Sequence, residues 1–236
     1  MKHLRTILAS AVILLSAVAA SAQTSDLSLQ PFTYDPDGLC DVQAQWVSGG
    51  VGGATDSAIF LKKGCTTATN AAAGIEIISS LEGGSVSELT ELNFDVMNGG
   101  HCGAGAPRFN VVVDGTTYFL GCSSGTHTTE GDWTHVVFGP ADFATAGIPT
   151  TGTLEDVYII FDEGTDTPVG GTIETAGQVT LDNISVNEDV AGSPSQPQSA
   201  DDCKNGGWRN FTDPAFKNQG QCVSSVVSNR GGNGKN

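Results

Sequence analysis

Nine short runs with strand character, each bounded by turn residues, constrain this chain more than any other feature of its sequence. They are Cys40–Val47, Ser57–Lys62, Gly74–Ser79, Leu89–Met97, Arg108–Val113, Thr116–Cys122, Trp133–Phe138, Leu154–Phe161 and Gln178–Val186. Several alternate apolar and polar side chains, as in Leu92-Asn93-Phe94-Asp95-Val96 and along Val179–Val186. A period of two over roughly five to eight residues describes a sheet with one buried face. Asp114-Gly115, between two β-rich runs, predicts a hairpin, because a type I′ turn needs two residues that tolerate positive φ. The segment Pro140–Phe143 reads as a single helical turn, and nothing else has helical periodicity. Many short strands joined by Gly-rich turns predict an all-β fold, a two-sheet antiparallel jelly-roll sandwich. With 7% aromatic residues, the expected core is largely Val, Ile, Leu and Ala.

The first 22 residues set the expected compartment. Lys2 and Arg5 precede an apolar run from Ile7 to Ala20, and Ala20-Ser21-Ala22 has the small-x-small pattern of a signal-peptidase site, with cleavage before Gln23. That run is short and rich in Ala and Ser, and no later segment approaches the roughly 20 apolar residues of a membrane helix. The expectation is a secreted, extracellular protein with no transmembrane segment after signal cleavage. Removal of the leader takes away two bases and no acid, so the formal charge of −16 becomes −18. Nucleic-acid binding needs clustered Lys and Arg, and this balance argues against it.

Export also decides how the six cysteines read. An even number in an oxidising compartment favours disulfides. Sequential pairing, Cys40–Cys65, Cys102–Cys122 and Cys203–Cys222, closes three local loops. If Asp114-Gly115 is the turn, Pro107 falls opposite Cys122, and Cys102 must fold back through Gly103-Ala104-Gly105-Ala106 to reach it. Residues 193–200 have a linker's composition, polar with two prolines. They divide a 23–192 β-sandwich domain from a 201–236 tail module. Residues 23–200 carry 3 basic and 23 acidic residues, whereas 201–236 carry 5 and 3.

Trp133–Phe138, then Asp142-Phe143, then Leu154–Gly164, then Val179-Thr180-Leu181-Asp182-Asn183-Ile184-Ser185-Val186, resemble in this order the carboxy-terminal half of carbohydrate-binding-module and galactose-binding-like jelly rolls. The likeness covers about 55 residues and is more specific for fold than for ligand. It implies a structural calcium ion held by Asp182 with Asp35, Asp37 or Asp41, since Ca²⁺ gathers oxygen ligands. The same aspartates also suit ordinary turn and strand-edge hydrogen bonding. It further implies sugar stacking on exposed rings, for which Trp46 and Tyr118 are the candidates. Asp202-Cys203-Lys204-Asn205-Gly206-Gly207-Trp208 through Gly220-Gln221-Cys222-Val223 is similar to a tail module of uncharacterised exported bacterial proteins; His101–Val111 is similar to the same group. Such a short segment depends on Cys203–Cys222 rather than on a core.

No Gly-x-Ser-x-Gly elbow or His-Glu-x-x-His helix accompanies His101, His127 or His135. The leading expectation is a secreted non-catalytic binding domain for carbohydrate or another extracellular ligand, with an extracellular glycan or cell-envelope component as partner. A structural cell-surface or matrix protein and a glycan-active hydrolase or lyase are its rivals. A glycosidase needs only two carboxylates, which this acidic domain has in abundance.

Overall fold

The computed structural model describes residues 27–168, 175–191, 203–204, 208, 211 and 216–231. The leader read at 1–22, the linker at 193–200 and much of the tail lie outside these residues. The strands are β1 (Ser28–Tyr34), β2 (Val42–Gly50), β3 (Gly53–Lys63), β4 (Ala72–Ile78), β5 (Leu92–Met97) and β6 (Arg108–Val113). They continue with β7 (Thr116–Gly121), β8 (Thr126–Glu130), β9 (Trp133–Phe138), β10 (Leu154–Phe161), β11 (Gln178–Val186) and β12 (Asp189–Val190). Two α-helices, α1 (Pro140–Ala146) and α2 (Gln219–Gly231), and two short 3-10 turns, Val86–Glu88 and Cys122–Ser124, complete the described elements.

One sheet has the order β1-β4-β10-β6-β7; the other has β2-β3-β11-β5-β9-β8, with β12 added beside β11. All strand pairs are antiparallel. The chain passes repeatedly from one sheet to the other, which makes a jelly-roll sandwich of the kind the alternation predicts.

Period-two burial builds the core from both sides. Leu92, Phe94 and Val96 face inward from one sheet, and Phe109, Val111, Val157, Ile159 and Phe161 face inward from the other. Phe94, Phe109 and Phe138 join the layers, with centroids 5.2 Å apart for Phe94–Phe109 and 5.7 Å for Phe109–Phe138. The filling is therefore less purely aliphatic than the composition suggests, because the few rings are concentrated at the centre.

The β6–β7 hairpin turns at Asp114 and Gly115, both at positive φ (47° and 75°), as the dipeptide predicts. Cys122 N–H donates to the Pro107 carbonyl at 2.9 Å, so the loop before β6 folds back over the strand end. A Cβ at Gly121 would stand 1.9 Å from the Ala104 carbonyl oxygen, and only glycine admits that approach. Cys102–Cys122 clamps this loop, Cys40–Cys65 ties the start of β2 to the end of β3, and Cys203–Cys222 closes the tail. At the same end as Cys65, the buried Lys63 ammonium donates to the carbonyls of Thr67, Thr69 and Asp162 at 3.0, 2.7 and 2.7 Å. Burial pushes its pKa down, against the opposing pull of Asp162 and Asp166.

Three features depart from the sequence reading. Strands β1, β8 and β12 were not anticipated: β1 contains Pro31 at a sheet edge, every residue of β8 is exposed, and β12 has two residues. Alternation in β11 is not continuous, because Leu181 and Ile184 are both buried and the register shifts between Asp182 and Ser185. A β-bulge takes up the extra residue, with Asn183 at φ 45°. The tail carries helix α2, whose Cys222 and Val226 cluster with Cys203, Phe211 and Phe216.

Replacing a ring at the sandwich centre should be far costlier than replacing one outside it. Phe94→Ala is expected to destabilise the domain by about 3–5 kcal/mol, and Phe119→Ala, more than half exposed, by less than about 1 kcal/mol. Denaturant midpoints of the two variants measure the contrast.

Candidate functional site

The alternation that buries Leu92, Phe94 and Val96 turns Asn93, Asp95 and Met97 to the opposite face of the seven-strand layer. On β9, Val136 and Phe138 point inward, which places Trp133 and His135 outward. Register aligns these side chains in rows: Met97 lies opposite Trp133 and Trp133 opposite Glu130, while Asp95 lies opposite His135 and His135 opposite Thr128. The turn at Gly49–Gly53 rises beside them. Together these residues line an open trough of about 1290 Å³. A second recess of about 300 Å³ shares Met97 and Asn98 with it and extends the trough toward Phe60, Gln178 and Thr180.

The floor of the trough is organised by Asp95. One of its oxygens accepts from His135 Nδ1 at 2.7 Å, and the other accepts from Asn183 Nδ2 at 2.7 Å. The β11 bulge delivers that amide, since a regular strand would not bring a residue next to Asp182 onto the same face. Asn93 Nδ2 donates to Glu91 at 3.0 Å. The trough thus presents an indole, a thioether, an imidazole and several amide and carboxylate groups. Its acids are Asp95, Glu130 and Asp132, and among the described residues neither Lys nor Arg lines it. Among the described residues the hydrogen-bond partner of the His135 ring is Asp95.

Asp182 stands behind the Gly49–Gly53 turn that borders the trough. Its carboxylate accepts from the Val51 N–H at 2.6 Å and from its neighbour Asn183 N–H at 2.7 Å. Burial raises its pKa above the usual 3.8, those two N–H groups oppose the rise, and the nearby charges of Asp56 and Asp95 add to it.

The residues proposed for calcium are placed apart in function. Asp35 accepts from the Cys40 N–H at 3.1 Å and Asp37 from the Leu39 N–H at 3.1 Å, both within the turn after β1. Asp41 is engaged by Gln43 and Lys62. Among the described residues, the only His, Cys, Asp or Glu trio with donor atoms within 4.8 Å of one another is Cys102, Cys122 and His127, and its two cysteines form a disulfide. Asp182, Asp35 and Asp37 form no such trio, and one buried oxygen of Asp35 has no hydrogen-bond partner.

Both aromatic candidates turn toward the core. Trp46 lies opposite Ile59, in phase with Val42 and Ala44, and is 7% exposed within the core. Tyr118 lies opposite Val111 and packs against the core. The exposed ring of that strand is its neighbour Phe119. Trp133, not singled out as a ligand contact, is the indole of the trough. Its parity relative to Val136 and Phe138 was the signal available.

No family model matches this sequence, and no curated protein matches it. Among solved structures, it is similar to the family 11 carbohydrate-binding module from Clostridium thermocellum in complex with a beta-1,3-1,4-mixed-linked tetrasaccharide, at TM-score 0.41 and 12% identity over 70% of this chain and 89% of that one. It is also similar to the family 11 module of the cellulosomal cellulase Lic26A-Cel5E of the same organism, at 0.38 and 13% over 70% and 88%. A non-crystalline cellulose-specific module, CBM28, follows at 0.32 and 18% over 63% and 80%. Similarity at this level decides neither a site nor a ligand.

Because the folded-state pKa of Asp182 is raised, its protonated form favours the folded protein. That stability is fully present below pH about 3.8 and is lost as pH rises through the folded-state value. The stability of the wild type relative to Asp182→Asn should accordingly decline between pH 3 and pH 7. Denaturant unfolding of both proteins across that range checks the sign.

Proposed function

We propose that this protein is a secreted glycan-binding domain whose trough on the seven-strand layer receives an uncharged polysaccharide chain. The observation that carries the reading is the row Met97–Trp133–Glu130 beside the row Asp95–His135–Thr128. An indole that can lie against the apolar face of a sugar ring stands next to fixed hydrogen-bonding groups that suit its hydroxyls. Fixing Asp95 between His135 and Asn183 lowers the cost of ordering the site when a ligand arrives.

Charge selects among glycans. A trough lined by carboxylates and by neither Lys nor Arg, on a strongly acidic chain, repels uronic-acid and sulfated polymers. The open shape suits a chain that passes through rather than a small molecule enclosed on all sides. The leader pattern and three disulfides favour an oxidising extracellular setting, where such polymers occur.

Affinity electrophoresis in gels containing mixed-linkage β-glucan, galactomannan or polygalacturonate tests this reading. Retardation by at least one uncharged polymer and none by polygalacturonate is expected. Trp133→Ala should weaken that binding by roughly 30-fold, the loss typical of a central ring worth about 2 kcal/mol. Migration unaffected by every uncharged polymer, or an unchanged affinity in Trp133→Ala, would contradict it.

A further inference from the structure

The outer face of the five-strand sheet carries a second, differently built array. Register sets Gln30 opposite Glu76, Glu76 opposite Tyr158, Tyr158 opposite Asn110 and Asn110 opposite Phe119. The next row runs Phe32, Gly74, Ile160, Arg108, Gly121. Rings thus occupy the first, third and fifth strands of the sheet, Phe32 and Tyr34 on β1, Tyr158 on β10 and Phe119 on β7. The strands between them carry no ring on this face. Tyr158 and Phe119 share a row two strands apart, about 10 Å at ~4.8 Å per strand, which is about the length of one disaccharide unit in an extended β-linked chain; Phe32 stands one row along, over β4.

The array is held in place. A Cβ at Gly74 would stand 2.3 Å from Phe32 Cζ, so the missing side chain lets the Phe32 ring lie down across β4. Arg108 bonds both oxygens of Asp162 at 2.6 and 2.8 Å and lies 5.4 Å from the centroid of Phe119. Phe119 is nevertheless 56% exposed and Tyr34 50%. The only Lys or Arg of these two rows, Arg108, is neutralised by Asp162, while Glu76 stays exposed; an anionic polymer would meet repulsion and no cation.

We propose that this face is a second glycan-binding surface, a flat platform for an extended, uncharged, β-linked polysaccharide that crosses the strands and sets successive disaccharide units on Phe119 and Tyr158, with Phe32 beside them. It is separate from the trough, lies on the opposite side of the sandwich, and does not depend on the trough binding anything. Where both operate, one domain bridges two polymer chains.

Depletion from solution by microcrystalline cellulose and by chitin particles, beside affinity electrophoresis in soluble mixed-linkage β-glucan, tests the proposal with the full chain. Wild type and Trp133→Ala should be depleted alike by at least one particulate, whereas Phe119→Ala should bind it roughly tenfold more weakly and Phe119→Ala/Tyr158→Ala more weakly still. Phe119→Ala removes an exposed ring and keeps the fold, which an unchanged melting temperature verifies independently of the double variant. Equal depletion of wild type and Phe119→Ala overturns the proposal. So does failure of the wild type to bind either particulate, even if the soluble glucan retards it through the trough. Dimerisation in sedimentation that Phe119→Ala abolishes, without particulate binding, identifies a second copy as the occupant and also overturns it. Loss of Trp133-dependent binding alone leaves this platform standing and removes the trough.

Discussion

The contact on which everything else depends is the meeting of Phe94, Phe109 and Phe138 between the two sheets. Those rings fix which parity of β5, β6 and β9 is inside. In a strand, inside for one residue means outside for the next, so the same contact puts Asn93, Asp95, Trp133 and His135 on the outer face, where Asn93 and Asp95 are covered by their neighbours. The trough is thus a by-product of core packing, and a slip of one residue in β5 or β9 would bury its polar groups and expose the core.

Two local devices refine that plan. The β11 bulge breaks the alternation once and uses the extra residue, Asn183, to brace Asp95. The Gly49–Gly53 turn brings the Val51 N–H against Asp182, which gives a desolvated carboxylate a hydrogen bond in place of water. At the far side of the sandwich, the missing side chains at Gly74 and Gly121 permit close approaches that a Cβ would forbid, one by a ring and one by backbone. These irregular positions, rather than the regular strands, give each face its character.

The interior strands were legible because burial on one side writes a period of two into the sequence. Leu154–Phe161 and Trp133–Phe138 have the same limits in the sequence and in the structure. Edge elements were not: β8 buries nothing and so leaves no pattern, and Pro31 disguises β1. The ring candidates failed for a related reason. Val42, Ala44 and Trp46 share a face, so Trp46 goes inward with its aliphatic neighbours; at Tyr118-Phe119, two adjacent rings must point oppositely, and Leu120 decides that Tyr118 goes inward. The trough itself draws on β5, β8, β9, β11 and the β2–β3 turn, and only the register brings those distant segments together.

The central claim, that parity on the seven-strand layer builds a glycan site around Trp133 and Asp95, is tested most directly by NMR titration of the isotope-labelled protein with an uncharged mixed-linked tetrasaccharide. Saturable shifts concentrated at the Trp133 indole, the His135 ring and the Asn93 and Asn183 side-chain amides are expected. Saturable shifts confined to other parts of the molecule, or none at millimolar sugar, would contradict it.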